Sequence, residues 1–334
     1  MYVLESVTHD PYVNLAFENT IFDMFETGQV IIEPTLFLWQ NDNTIVIGMN
    51  QNPYKECDLC AVEESNVRIA RRTTGGGAVY HDVGNLNYSI FLPSDKFNRE
   101  NSLDFVVKAL QSVEIDAQKN GRNDIIVDGK KCSGNAFRKG KKILLSHGTL
   151  LLDVNLKKMQ ELLIPNKAKL KKNGVNSIAS RVTNLFEVNH YITLSDIKDA
   201  LKSSFAKNFC NQHYEFKNEI SIKEEMLNEK IALFKSKEWV YSDYSDNSDE
   251  FIKSFSWGNV SIHIVINSNL VENCVIATDG LVCDIIPEME RAIIGKSLEE
   301  ILKKDIFEKI QIIEEEDVIV RRDILKLVRE NIIE

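Results

Sequence analysis

The sequence predicts an α+β protein with a large unit of strands and helices followed by a smaller α+β unit. The 334 residues exceed the size at which a single hydrophobic core stops growing, so one large domain and one smaller domain are expected. In the first half, β-rich runs follow one another with short polar turns between them. Near the end, strands around 260–266 and 271–277 precede helical patterns, which makes the second unit small and α+β.

The first elements are a helix and a pair of strands. Apolar residues on one helical face predict a helix over 14–25, with Asn14 as its cap and Gly28 at its end. The β-rich runs 35–40 and 44–48 are joined by Asn41, Asp42 and Asn43, whose turn chemistry predicts a hairpin. Trp39 lies near the open end of that hairpin, where it either fills the core or lines an apolar ligand site.

A glycine-rich stretch at residues 71–85 lies between two expected strands, 67–71 and 86–92. Three consecutive glycines remove every Cβ from one point of the chain, so an anion can approach the main-chain N–H groups. A structural hairpin loop is the alternative reading of a bare glycine triplet. Nucleotide folds of the Walker A or dinucleotide type are not indicated, because their glycines join a strand to a helix.

Two further segments could reach this anion cradle. A helix is expected over 101–117, followed by strands 125–127 and 130–136, in which Lys131 and Ser133 point to the same face if alternation holds. From its residue type alone, Lys131 is expected to be a solvated surface lysine. The alternative is that its side chain faces the anion cradle. His147 lies at the start of an expected buried strand. A single histidine there is more often a hydrogen-bonded core residue, and the alternative is a residue of the site.

The second half contains helical patterns over 195–209 and 222–234, which close the large unit. The polar run 241–250, rich in Asp and Ser, is expected to link the two units. The predicted domains are therefore 1–245 and 250–334. Helices are expected near 285–293, 297–301 and 323–332.

Composition narrows the functional classes. A net charge of −10 argues against nucleic acid as a partner, because phosphate backbones are bound by concentrated Lys and Arg. No early apolar run is long enough for a membrane span, and no signal peptide pattern is present, so a cytoplasmic location is expected. Six cysteines in this length predict reduced thiols, and the Cys57–Cys60 pair lacks the second ligand pair of a zinc site. A monomer is the default expectation.

Six motifs in chain order resemble those of lipoate–protein ligases. The matching residues are Gln51-Asn52-Pro53 with Glu56, Arg71-Arg72 with Gly75-Gly76-Gly77-Ala78-Val79, His81-Asp82 and Gly84-Asn85, Gly121-Arg122-Asn123-Asp124, Lys131 with Ser133-Gly134 and Ala136, His147-Gly148-Thr149-Leu150-Leu151, and Ser180-Arg181-Val182-Thr183-Asn184-Leu185. The resemblance covers essentially the whole chain. It implies a catalytic domain built on a mixed or antiparallel sheet with flanking helices, as in biotin and lipoate ligases, plus an accessory C-terminal domain.

The resemblance also implies a two-step reaction. Lipoate and ATP give lipoyl-AMP and pyrophosphate, and a lysine of an acceptor, a lipoyl domain or a glycine-cleavage H protein, then displaces AMP. Two anions meet in the first step, so cations and N–H donors are needed where charge accumulates. Lys131 matches the family's essential lysine, in contact with both lipoate and adenylate, whereas Lys130 is expected not to matter. The positions matching the ATP or adenylate site are Arg72, Gly75, Gly76, Gly77, Ala78, Val79 and Tyr80.

Other roles follow from the same resemblance. His81 and His147 match positions near the lipoate pocket, and Asp124 is the candidate ligand for Mg²⁺. Trp39 and the strand of Leu150 are candidate walls of an acyl tunnel, over which the loop 167–181 is expected to close. An ATP-independent octanoyl or lipoyl transferase is the alternative function. Its nucleophile would have to be a cysteine such as Cys132, which alternation places on the far side of the strand.

Overall fold

The computed structural model describes residues 1–95, 102–164, 182–209, 216–242, 244, 251–282 and 284–332. The predicted loop 167–181 and most of the predicted linker 241–250 lie outside these residues, as do Cys210 and Cys283. Within them, no helix is long and apolar enough to cross a membrane.

A seven-stranded mixed sheet forms the centre of the large unit, which confirms the predicted α+β class. Its order is β1-β2-β6-β10-β9-β8-β7, and all neighbours are antiparallel except β1 and β2. The strands are β1 Tyr2–Glu5, β2 Thr35–Trp39, β6 Asn85–Pro93, β7 Gln118–Asn120, β8 Asp124–Val127, β9 Lys130–Lys139 and β10 Ile143–Leu151.

A second, three-stranded sheet carries the glycine-rich loop. Its central strand β3 (Thr44–Ile47) is parallel to β4 (Arg68–Arg71) and antiparallel to β5 (Val79–His81). The predicted hairpin of the 35–40 and 44–48 runs is therefore wrong. Both runs are strands, but the polar turn between them passes from the large sheet to the small one.

Helices cover both faces of the large sheet. Helix α1 spans Pro11–Thr27 and ends at Gly28 as predicted, but its cap is Asp10, whose side chain accepts from the main-chain N–H groups of Tyr12 and Val13. The predicted cap Asn14 lies inside the helix. The other helices of this unit are α2 Pro53–Glu56, α3 Leu59–Glu64, α4 Asp104–Ser112, α5 Leu156–Leu162, α6 Leu185–Val188, α7 Leu194–Phe209, α8 Glu224–Lys235 and α9 Lys237–Tyr241.

The two faces of the large sheet have different partners. Successive side chains of a strand point to opposite faces. One face contributes Leu38, Tyr88 and Leu150 to a core shared with α4 and α7. The other face contributes Phe37 and Trp39 to a core shared with α1. This second face also carries the polar residues of the candidate site.

The C-terminal residues form a three-stranded antiparallel sheet packed against helices, in which the first strand joins the two that were predicted. The strands are β11 Phe251–Ser254, β12 Asn259–Asn267 and β13 Leu270–Thr278, and the helices are α10 Ile285–Ile293, α11 Leu298–Lys303 and α12 Glu315–Ile332. These elements share a separate apolar core that includes Trp257, Ile286 and Ile324. The separate core supports the proposed division into two domains near residue 250.

Candidate active site

The glycine loop joins β4 to β5, so the predicted strand-to-strand position is correct. Gly76 has a φ of +92°, a conformation that favours glycine, and its N–H donates to the carbonyl oxygen of Gly280 at 2.7 Å. A Cβ at Gly75 would lie 2.5 Å from the carbonyl oxygen of Val282. Gly77 differs from both, because a Cβ added there meets nothing within 4 Å. The loop is thus tightly enclosed at its first two glycines and open at the third.

The residues after the glycines turn the chain back into β5. Ala78 and Val79 are partly exposed, whereas the ring of Tyr80 is buried. The Tyr80 ring packs in a core with Ile45 and Ile69. A contribution of Tyr80 to nucleotide binding would therefore come from its main chain.

Arg72 braces the loop from inside. Its Nε donates to Thr74 Oγ1 at 3.0 Å, and its terminal nitrogens donate to the carbonyl oxygens of Gly75, Gly77 and Val46 at 2.7, 2.9 and 3.1 Å. Burial lowers the pKa of this guanidinium to about 10. Four of its five N–H groups therefore hold main-chain and hydroxyl oxygens around the loop. Its direct contact with phosphate stays a prediction.

A buried relay connects Arg72 to helix α1. Thr74 Oγ1 lies 2.8 Å from His147 Nε2, and His147 Nδ1 lies 2.8 Å from Glu18 Oε1. Because the Glu18 carboxylate only accepts, His147 carries a proton on Nδ1 and contacts the Thr74 hydroxyl through Nε2. Ser89 also donates to Glu18, and Ser89 in turn accepts from Trp39 Nε1 at 2.9 Å. His147 therefore joins the large sheet to the glycine loop.

Lys131 and Asp124 form an ion pair at the other side of the same face. Lys131 Nζ lies 2.8 Å from Asp124 Oδ1, on neighbouring strands β9 and β8. A Cβ at Gly134 would lie 2.8 Å from the same Nζ, so glycine leaves the room that the lysine occupies. The Lys131 side chain is 36 % exposed, which leaves its ammonium reachable. Its neighbour Lys130 is exposed, as predicted.

Cys132 faces the opposite way. Between the pairs Ile125–Ser133 and Ile126–Lys131 the register shifts, so Cys132 is the extra residue of a β-bulge. Its thiol is buried in the core and contacts the carbonyl oxygen of Ile125 at 3.4 Å. Burial raises the pKa of this thiol to about 12. These properties argue against Cys132 as a nucleophile, because the reactive form is the exposed thiolate.

His81 lies at the far side of the site, next to Trp39. The two ring centroids are 6.2 Å apart in an edge-on arrangement. His81 Nδ1 contacts Asn41 Nδ2 at 3.2 Å, while Nε2 is buried and has no hydrogen-bond partner within the described ranges. Burial, with Arg72 and His147 nearby, lowers the pKa of His81 to about 3. The ring is neutral at working pH.

A row of paired residues, one from each of four neighbouring strands, leads from Trp39, beside His81, to Gly134, beside Lys131. Trp39 on β2 pairs with Asn87 on β6, and Asn87 pairs with Thr149 on β10. Thr149 Oγ1 then accepts from the N–H of Gly134 on β9 at 3.3 Å. With strands about 4.8 Å apart, the row is about 14 Å long. It is lined by Asn87 Nδ2, a buried donor with no partner in the part of the chain described.

Asp124 is the only predicted metal ligand. Among the described residues, no group of three His, Cys, Asp or Glu side chains could hold a metal ion. One carboxylate nevertheless fits Mg²⁺ bound with a nucleotide, because this ion keeps several waters and takes phosphate oxygens as ligands. Asp124 uses Oδ1 for its ion pair with Lys131, and its Oδ2 makes no ion pair with another described residue. Its role as a metal ligand stays a prediction.

Sequence reasoning did not find Glu18, Asn41 or Asn87. Two of them interrupt an otherwise apolar pattern: Glu18 lies on the buried face of α1, and Asn87 lies in strand β6, which is buried except at Pro93. Asn41 lies in the polar run 40–43 and gave no such signal. Buried polar residues are hydrogen bonded or functional, so these interruptions were a usable signal. The partners themselves could not be read from sequence, since Glu18 and His147 are 129 residues apart.

The class of protein follows from two family matches that together span most of the chain. Residues 10–206 match the family described as the lipoyl protein ligase A/B catalytic domain, and residues 247–328 match the bacterial lipoate protein ligase C-terminus. A curated relative, lipoate-protein ligase A of Psychrobacter cryohalolentis, is 33% identical over 298 residues, covering 87% of each chain. The chain belongs to the lipoate-protein ligase family.

Solved structures agree with this assignment. Plasmodium falciparum LipL1 in complex with lipoate superposes with a TM-score of 0.77 at 29% identity, covering 97% of this chain and 98% of that one. A bipartite lipoate protein ligase with its E2 lipoyl domain from Thermoplasma acidophilum gives 0.63 at 25% identity, covering 74% and 98%. A lipoate-protein ligase A bound with ATP gives 0.61 at 25% identity, covering 72% and 98%.

Proposed function

We propose that this enzyme activates lipoate with ATP and transfers the lipoyl group to a lysine of an acceptor protein. In the first step a carboxylate oxygen of lipoate attacks the α-phosphorus of ATP, and the bond to the β-phosphate breaks, releasing pyrophosphate. In the second step the acceptor amine attacks the carbonyl carbon of lipoyl-AMP. The carbonyl–oxygen bond to AMP breaks, AMP leaves, and the amine loses a proton as the amide forms.

The observation that carries this proposal is the arrangement of Lys131 and the glycine loop around strand β10. Lys131 lies on the adjacent strand β9, and β10 contacts the loop through His147 and Thr74. The ammonium of Lys131 can neutralise the charge that builds up as carboxylate and phosphate approach. The open backbone at Gly77 and Ala78 allows the adenylate to come close to main-chain N–H groups.

The row from Trp39 to Lys131 suits the acyl chain. With its carboxylate at Lys131, the chain would cross β10 and β6, beside His147, toward Trp39 and His81. Burying methylene groups there contributes about 0.8 kcal/mol for each one. Mg²⁺, when bound, supplies positive charge to the phosphates, and Asp124 is the residue that would hold it.

The proposed acceptor is a lipoyl domain or a glycine-cleavage H protein. The relative from Thermoplasma acidophilum, which was determined as a lipoylation system with an E2 lipoyl domain, supports this choice. The alternative, an ATP-independent transferase, requires a nucleophilic thiol in the site. The burial of Cys132 in the opposite core argues against it.

Exchange of labelled pyrophosphate into ATP tests the first step. We expect lipoate-dependent exchange by the wild type and its loss in Lys131→Ala, because the reacting anions lose their cation. Lys130→Ala is the matched control, since its side chain is exposed and one residue away, and it should retain exchange. Wild-type protein without exchange, or equal losses in the two variants, would contradict the proposal.

A further inference from the structure

A chain of buried amides ends at His81. Asn14 lies within α1 and donates through Nδ2 to the carbonyl oxygens of Thr8 and Gln40, at 3.2 and 3.0 Å. The same Nδ2 contacts Asn41 Oδ1 at 3.0 Å, and Asn41 Nδ2 contacts His81 Nδ1 at 3.2 Å. Asn14, Asn41 and His81 are all buried.

The direction of these hydrogen bonds follows from the two carbonyl oxygens, which only accept. They fix the Asn14 amide with its nitrogen toward Asn41. Asn41 must then present its oxygen to Asn14, because two amide nitrogens cannot bond each other. Its nitrogen is left for His81, whose Nδ1 has to accept. A neutral ring that accepts at Nδ1 carries its proton on Nε2.

We propose that Asn41 is a positioning residue that fixes His81 as a neutral imidazole with its proton on Nε2, and that this N–H donates a hydrogen bond to a dithiolane sulfur of bound lipoate, at the end of the ligand opposite its carboxylate. The inference rests on the proposed function for the identity of the ligand. It goes beyond that function in assigning a protonation state and the residue that imposes it.

Three observations support a ligand as the partner of Nε2. The atom is buried and has no hydrogen-bond partner in the described part of the protein, whereas buried donors are nearly always bonded in working proteins. Asn87 Nδ2, a second donor of this kind, faces the row that ends at Trp39, the ring beside His81. Burial and the neighbouring Arg72 and His147 lower the pKa of His81 to about 3, so the ring stays neutral.

Asn41→Asp reverses the tautomer and tests the proposal. A carboxylate can only accept, so it draws the ring proton to Nδ1 and leaves a lone pair on Nε2. We expect the KM for lipoate in pyrophosphate exchange to rise about threefold to tenfold, because the bond from a neutral imidazole to sulfur is weak but buried. The KM for ATP should change less than about twofold.

Gln40→Glu is the matched control. It makes the same amide-to-carboxylate change one residue away, at a half-buried side chain that donates to the carbonyl oxygen of Val83 at the surface. It should leave both KM values near those of the wild type. An equal rise in the KM for lipoate in this control would show that added negative charge, not the tautomer, causes the effect.

A double-mutant cycle with His81→Gln separates positioning from damage to the fold. If Asn41 acts through His81, adding Asn41→Asp to His81→Gln changes the KM for lipoate by less than about twofold. A further rise of about twofold or more in the double variant would overturn the proposal.

Nitrogen NMR of the His81 ring reads the tautomer without activity. A proton on Nε2 in the wild type and on Nδ1 in Asn41→Asp is expected, and a wild-type ring protonated on Nδ1 overturns the proposal even if Asn41→Asp fails to fold. Loss of all lipoate-dependent exchange in the wild type would instead overturn the proposed function, and the NMR result would still stand.

Discussion

Arg72 is a buried cation whose countercharge lies on another element. Thr74 and His147 stand between its guanidinium and the carboxylate of Glu18, in a continuous line of hydrogen bonds. The nearby carboxylate of Glu18 raises the pKa of Arg72 and so opposes the larger, lowering effect of burial. A buried charge without compensation is costly, so Glu18 stabilises the loop that Arg72 holds.

Glu18→Gln tests this relay because it keeps the shape of the side chain and removes its charge. We expect pyrophosphate exchange to fall about tenfold to hundredfold, as Arg72 loses its countercharge and the loop loosens. Asp23→Asn is the control on the same helix, where an exposed carboxylate pairs with Lys230 at 2.7 Å. Similar losses in the two variants would refute a special role for Glu18.

Because of His81, the free energy of unfolding should depend on pH. Its folded pKa is about 3 against an ordinary value of 6.5, so the unfolded chain binds a proton between these values and the folded chain does not. The unfolding free energy therefore falls as pH drops below 6.5, by up to about 1.4 kcal/mol per pH unit from this group. Urea unfolding at pH 7 and pH 5 should show a smaller drop in His81→Gln. An unchanged drop would argue that His81 titrates normally.

The sequence identified residues of the candidate site, but it did not predict which residues they contact. Most lysines and buried histidines have only a structural role. Lys131 and His147 were selected because they lie in motifs that resemble those of lipoate–protein ligases. Composition and spacing could not show that Lys131 pairs with Asp124 across a bulge, because bulges depend on the pairing of two strands. Asn41 was read as a turn residue, and its buried bond to His81 appears only once two sheets are assembled.

The glycine loop is the element on which the site depends. Its three glycines have different surroundings, which a triplet in the sequence cannot reveal. Gly75 meets the 280–282 segment, Gly76 needs a positive φ, and Gly77 faces open space. The first two are required by packing and conformation, and the third is the position where a ligand can approach.

Gly77→Ala tests this division. With no atom within 4 Å of the added Cβ, we expect the melting temperature to stay within about 2 °C of the wild type. The KM for ATP should rise at least about tenfold, because the methyl group fills the approach to the main chain. Gly75→Ala should instead lower the melting temperature, since its Cβ would lie 2.5 Å from the Val282 oxygen. Gly77→Ala with an unchanged KM for ATP would contradict the cradle.

Local patterns predicted most elements and failed where sheets were assigned. Helices α7 and α10 and the β8–β9 hairpin follow the periodicity closely. The 35–48 hairpin was wrong because β2 and β3 find better partners elsewhere, β1 and β6 for one and β4 and β5 for the other. Such long-range pairing overrides turn chemistry, which acts only between neighbours in sequence.

For the whole molecule, the C-terminal unit lies directly against the glycine loop. Gly76 donates to Gly280, and Thr278 donates to Asn50 at 2.7 Å. Arg138 on β9 and Asp284 form an ion pair at 3.2 Å beside these contacts. Three statements stay predictions: the division into domains at 1–245 and 250–334, a monomeric state and a cytoplasmic location. Sedimentation velocity would test the monomeric state.

A charge exchange tests how this packing protects the loop. Arg138→Asp should repel Asp284 and speed hydrogen exchange at the Gly76 amide, which is bonded to Gly280 across the contact. The double variant Arg138→Asp with Asp284→Arg restores opposite charges and should return the exchange rate toward that of the wild type. Equal exchange rates in all three proteins would show that the ion pair does not hold the two units together.

In the proposed reaction, lipoate is activated with ATP and attached to an acceptor lysine with the help of Lys131. Intact-mass analysis of an apo lipoyl domain incubated with the enzyme, lipoate and ATP tests it most directly. We predict the mass of one lipoyl group added per domain, only with ATP present and not with Lys131→Ala. Two results would contradict the proposed reaction: modification of the lipoyl domain without ATP from an acyl-carrier-protein donor, or full modification of it by the Lys131→Ala enzyme.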